Sequence, residues 1–128
     1  MFSHIMVGAN DIGASKAFYD ATLGALGIDP AFEDEKGRFF YVMPSGVFSI
    51  TKPINGERAC GANGGTIGFN AESPEQADAW HAAGLKAGGT TCEDPPGVRD
   101  MGSHGKLYLA YLRDPTGNKL CALYRMPA

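Results

Sequence analysis

No run of about 18 apolar residues occurs in the chain, so nothing in it reads as a membrane-spanning helix. Charge of one sign is also missing. Eleven basic and 14 acidic residues are interspersed and leave a net charge of −3, which gives no footprint for nucleic acid or for a membrane surface. Cysteine is scarce: Cys60, Cys92 and Cys121 stand far apart and make an odd number. They form neither a disulfide framework nor a C-x-x-C metal or redox motif, and free, mostly buried thiols are the expectation. Low-complexity tracts are absent, since the 18 glycines fall at turn-like places. Ahead of the opening strand pattern there is no charged n-region with a cleavage site, so a cytoplasmic protein is expected.

What is present is an ordinary globular composition, 44 % hydrophobic over 128 residues, enough for one domain (1–128) around one core. Within it the chain repeats itself. Sliding the sequence by 62 positions lays residues 2–27 on residues 64–89 without a gap. Ile5 falls on Ile67, Ala9 on Ala71, Phe18 on Trp80, Leu23 on Leu85 and Gly27 on Gly89. Both windows carry one plan of strand, cap, helix and glycine stop. They define a first module at about 1–55 and a second at about 64–128.

Phe2 to Val7 alternates like a half-buried strand, and Asp11 suits the cap of a helix ending near Gly27. Thr66 to Ala71 is the matching strand. Ser73-Pro74-Glu75-Gln76 supplies a cap, a proline at the first helical position and a capping-box glutamine. Three short strand signals follow each helix, at about 28–34, 38–43 and 47–52, then at about 90–94, 106–113 and 118–124. Segments 53–64 and 95–105, rich in Gly and Pro, read as loops.

Turn chemistry predicts the registers. Asp114-Pro115-Thr116-Gly117-Asn118 suits a type I turn with glycine in the left-handed position, which sets Tyr111 opposite Cys121 and Leu109 opposite Leu123. Met43-Pro44-Ser45-Gly46-Val47 admits the same loop and predicts Tyr41 opposite Ser49.

Two βαβββ modules, an opening strand with His4, and the closing run Arg113-Asp114-Pro115-Thr116-Gly117-Asn118-Lys119-Leu120 resemble the glyoxalase / bleomycin resistance / extradiol dioxygenase superfamily, the vicinal oxygen chelate proteins, over nearly the whole chain. The resemblance implies an α+β fold in which the modules curl mixed sheet into a cup, helices outside. It also implies metal ligands from the first and fourth strands of each module. The matching positions are His4, Ser49, Thr66 and Cys121, of which His4 alone is of the usual ligand type. No catalytic metal and no other cofactor is therefore expected. Relatives without metal form homodimers with pockets at the subunit interface, and the same is expected of a chain this short.

His4 is either a general base or substrate partner, or a histidine satisfied by Thr66 or Ser49. Cys121 is a nucleophile or an inert buried thiol. Tyr41 and Tyr111 either donate to a substrate oxygen or pack. Arg99 and His104 belong to the 95–105 loop, where an arginine suits a carboxylate or phosphate. His4, Tyr41, Tyr111 and Cys121 are expected to line one cavity with Arg99 at its mouth, and Ser49 and Thr66 to contact substrate. Three functions compete. One is a metal-free protein that binds, or works by acid–base chemistry on, a small polar metabolite. Another is a glyoxalase-type lyase or isomerase, or a dioxygenase-type enzyme, with an atypical ligand set. The third is a structural domain whose cup is filled.

Overall fold

Each half of the molecule is organised by a capped helix. In the computed structural model, which describes residues 1–128, the Asp11 side chain accepts from the Ala14 N–H at 3.0 Å and opens helix α1 (Ile12–Ala25). Ser73 accepts from the Gln76 N–H at 3.0 Å and opens α2 (Pro74–Lys86), with Pro74 leading the first turn. The two caps lie 73 − 11 = 62 residues apart, so the repeat is structural. Gln76 returns its side chain to the Glu72 N–H at 2.7 Å, one residue before the position a capping box would use.

The first module carries β1 (His4–Gly8), β2 (Phe32–Glu33), β3 (Phe39–Met43) and β4 (Gly46–Thr51) in the order β1-β4-β3-β2, with β1 parallel to β4. The second carries β5 (Ile67–Asn70), β6 (Thr90–Thr91), β7 (Gly97–Asp100), β8 (Lys106–Arg113) and β9 (Lys119–Arg125) in the order β5-β9-β8-β6, with β7 also on β8. These are two mixed sheets, not closed into a barrel, and the α+β class and βαβββ plan stand. Each module's first strand, β1 or β5, is the edge of its sheet.

β2 and β6 are two-residue remnants of longer expected strands, and β7 lies inside the segment read as a loop. Gly97-Val98-Arg99-Asp100 has no alternating pattern. It is extended because its backbone pairs with Leu109 to Lys106 of β8, a tertiary cause invisible in the local sequence.

One core runs through both modules: Phe18, Tyr19 and Leu23 from α1, Ala77 and Trp80 from α2, and the helix-facing rows of both sheets. Phe48 meets Phe69 edge to face at 5.2 Å, joining the sheets. The helices cross at Gly84, where a Cβ would overlap the Leu112 side chain and press on Thr22 at 3.1 Å and Phe18 at 3.2 Å.

The second hairpin forms the expected loop. Asp114 pairs with Asn118, Gly117 is left-handed at φ 104°, and Tyr111 stands opposite Cys121 and Leu109 opposite Leu123. The first hairpin corrects the expectation. Met43 pairs with Gly46 across two residues, which puts Tyr41 opposite Phe48 and Phe40 opposite Ser49. The cause is at the first loop position. The buried Asp114 carboxylate accepts from the Thr116, Gly117 and Asn118 N–H groups, each at 2.9 Å, and so templates a three-residue loop. Met43 has no acceptor to offer there.

Asp114 does more than shape its turn. Its second oxygen accepts from the Tyr19 hydroxyl of α1 at 2.6 Å and from the Asn118 amide at 2.8 Å, and that amide also donates to the Gly8 carbonyl of β1 at 3.0 Å. The turn that carries the resemblance thus ties the second module to the first.

Candidate functional site

Alternation along a strand sorts the side chains onto two faces, one against the helices and one free of them. In the first sheet the helix side takes Ile5, Val7, Phe39, Tyr41, Phe48 and Ile50. The free side takes two cross-strand rows: Phe32, Phe40, Ser49 and Met6, then Val42, Val47 and His4. In the second sheet Ala110, Leu112, Leu120 and Ala122 face the helices. Leu109, Tyr111, Cys121 and Leu123 occupy the free side together with Arg99 of β7 and Lys119 of β9.

This geometry puts Tyr111, Cys121 and Arg99 on one face of the second sheet. The Cys121 thiol is 5 % exposed. Burial pushes it up, past the opposing pull of Tyr111 and Lys119, and at neutral pH it is a protonated hydrogen-bond partner rather than a nucleophile. Burial, then the neighbouring Cys121 and Glu93, likewise raise the Tyr111 hydroxyl, with Arg99 opposing, so Tyr111 remains a donor. Lys119 places its ammonium over the Tyr111 ring, 5.2 Å from the centroid, and pairs with Glu93. Arg99 donates to the Asp94 carbonyl at 3.2 Å and the Pro95 carbonyl at 2.9 Å, which fixes the loop over this face.

The other expected residues lie apart. Tyr41 is in the core on the helix side, its hydroxyl donating to Asp20 at 2.8 Å and to the Lys16 carbonyl at 3.2 Å, because the two-residue turn shifts its register. Ser49 is on the free face but fully buried between Phe40 and Met6 in its row, with its hydroxyl spent on the Ile5 carbonyl at 3.2 Å. His4 sits on the edge strand, exposed, Nδ1 at 2.7 Å from the Ser3 hydroxyl and not from Ser49 or Thr66. Thr66 precedes β5, and His104 ends an exposed 3-10 turn, Gly102–His104.

A cleft of about 380 Å³ opens between the β1 and β5 edges. It is lined by His4, Phe2, Ile5, Ile67 and Phe69 among others, and takes in none of Tyr41, Ser49, Tyr111, Cys121 or Arg99. The single cavity expected to hold His4, Tyr41, Tyr111 and Cys121 is therefore not formed within one chain. Nor do three His, Cys, Asp or Glu side chains converge anywhere as a metal set. The residues at the four ligand positions, His4, Ser49, Thr66 and Cys121, do not fit the divalent ion the resemblance implies.

Sequence reasoning missed Glu93 and Lys119, and on the first module Phe32, Phe40 and Arg38. Phe32 and Phe40 stack at 5.3 Å with 18° between rings, and the Arg38 guanidinium lies 5.7 Å from the Phe40 centroid, held by Asp34. The alternation Phe32, Asp34 against Arg38, Phe40 was a usable signal once the short hairpin was recognised.

The model of the Glyoxalase/Bleomycin resistance protein/Dioxygenase superfamily matches residues 1–122. A glyoxalase/bleomycin resistance protein from Albidiferax ferrireducens T118 is 64 % identical and superposes with a TM-score of 0.93, over 98 % of this chain and 99 % of that one. A glyoxalase-related enzyme from Fulvimarina pelagi (20 % identity, TM-score 0.72, 98 % and 88 % covered) shares the fold. So does a lactoylglutathione lyase from Agrobacterium tumefaciens (18 % identity, TM-score 0.65, 97 % and 92 % covered). Comparison with curated proteins gave no match.

Proposed function

The chain belongs to the glyoxalase/bleomycin resistance protein/dioxygenase superfamily, and we propose that it binds a small polar metabolite without a catalytic metal, in a pocket that a second copy of the chain completes. The observation that carries this reading is the split site. Tyr111, Cys121 and Arg99 line the free face of one sheet while His4 stands at the free edge of the other, and no three metal-binding side chains meet.

Two features support the second copy. β1 and β5 are both unpaired edges, and the free face of the first module exposes Val42 (63 %), Phe32 (55 %) and Met6 (38 %). Covering that face with a partner's second module removes this apolar surface from water. The chemistry favours binding over catalysis. A thiol and a phenol held protonated donate hydrogen bonds and do not attack. A cytoplasmic location is part of the proposal; no helix is long and apolar enough to cross a membrane.

Light scattering at micromolar concentration tests the assembly, and a lone 13.5 kDa species overturns it. Elemental analysis after purification without added metal tests the rest. A stoichiometric ion lost on His4→Ala would replace this reading with that of a metalloenzyme carrying an atypical ligand set.

A further inference from the structure

The two free faces have opposite chemistry. On the first module the strands present Met6, Phe32, Phe40, Val42 and Val47, and the one cation that reaches them, Arg38, is neutralised by Asp34. On the second module the free face carries Arg99, Arg113, Lys119 and Arg125, and the carboxylate that reaches it is that of Glu93. Glu93 is also the sole non-glycine residue with a positive φ, at 57°. Left-handed backbone is uncommon for a residue other than glycine and is held there by its surroundings. Here it directs a carboxylate onto Lys119, above the Tyr111 ring and in the field of Arg99.

We propose that the ligand is a planar aromatic carboxylate whose ring extends the Phe32–Phe40 stack and whose carboxylate displaces Glu93 from Lys119, with the Tyr111 hydroxyl and Arg99 as further donors. The inference rests on the composite pocket proposed above, in which the free faces of two copies meet. Glu93 is then an internal counter-ion that fills the anion seat in the empty protein. Its displacement leaves Lys119 paired with the ligand carboxylate, the contact that favours an acid over its neutral analogue, and Arg99 and Tyr111 add further donors. The stacked phenylalanines supply affinity that does not depend on the ligand's charge.

The probes are 2-naphthoate and its neutral analogue 2-naphthamide, titrated into the full chain by calorimetry. The acid should bind at least about tenfold tighter than the amide, and Lys119→Met, which keeps the aliphatic stem, should erase that preference. Glu93→Gln should act the opposite way and tighten the acid by about three- to tenfold while leaving the amide unchanged. Phe32→Ala should weaken both probes alike. Equal affinities for acid and amide, or a Glu93→Gln variant that weakens the acid, overturn the carboxylate assignment and leave the pocket standing. Binding of neither probe overturns both, and circular dichroism of each variant shows that a loss is not unfolding.

Discussion

The two modules share helices, caps and strand order but differ at their hairpins, and that difference decides what each module contributes. An aspartate at the first position of the second hairpin templates a three-residue loop and anchors to the other module. A methionine at the corresponding position of the first leaves a two-residue loop with no anchor. One residue of loop length turns Tyr41 into the core and leaves Tyr111 on the face free of the helices. Duplicated modules thus diverge through turn chemistry, not through the helices that make the repeat visible.

The contrast is broken most severely at the anchor. Asp114→Ala strips a buried acceptor from Tyr19, Asn118 and three backbone N–H groups, and should cost about 3–4 kcal/mol in urea denaturation, against about 1 kcal/mol or less for Met43→Ala. Similar losses at the two positions would refute the asymmetry. Next comes the helix crossing. Gly84→Ala forces a methyl into Leu112, Thr22 and Phe18 and should cost about 1–3 kcal/mol. Its counterpart under the 62-residue shift, Thr22, already carries a side chain (84 − 62 = 22).

The tyrosines sharpen the comparison further. Tyr41→Phe removes a buried donor to Asp20 and should lower stability by about 1 kcal/mol without altering probe binding. Tyr111→Phe should do the reverse, with stability within about 0.5 kcal/mol of the parent and weaker 2-naphthoate binding. A pH titration follows from the same pair. Burial alone would raise the Asp20 carboxyl, but hydrogen bonds from Lys16 and Tyr41 outweigh it and hold it below its ordinary value. The stability this confers is present above about pH 4 and disappears as pH falls through the lowered folded value. Tyr41→Phe should shrink that acid limb and Asp20→Asn abolish it. The position equivalent to Asp20 in the second module is Ala82, which offers no such limb. The smallest effect is chemical. Iodoacetamide should modify exposed Cys60 first and Cys121 last, read by mass spectrometry, and early labelling of Cys121 would contradict a buried, protonated thiol.

What was legible in the sequence was what neighbours in the chain decide. Asp11, Ser73, Pro74 and the Pro115-Thr116-Gly117 loop act within four residues, and each does what its local chemistry requires. The register of the first hairpin was not legible, since Pro44-Ser45-Gly46 and Pro115-Thr116-Gly117 look alike yet close loops of different length, and an absent acceptor at Met43 decides between them. β7 was illegible because its extension is imposed by β8. The candidate site was half legible: Tyr111, Cys121 and Arg99 share a face through one hairpin and its neighbour. Glu93 and Lys119 join them only through an ion pair between residues 26 positions apart (119 − 93 = 26), which no local pattern announces.

The knot of bonds at Asp114 also constrains the order in which the protein is made. Its contacts to Tyr19 and to the Gly8 carbonyl join residues 95 and 110 positions apart, among the longest loops the chain can close. On a ribosome the first module emerges early, with its helix capped, but Tyr19 lacks its carboxylate until the final hairpin has left the exit tunnel. Half the molecule waits, with aromatic surface exposed, for the other half. Such non-local closure slows folding and lengthens exposure to aggregation. A chain released before residue 118 should therefore fail as a whole, not persist as a folded first module.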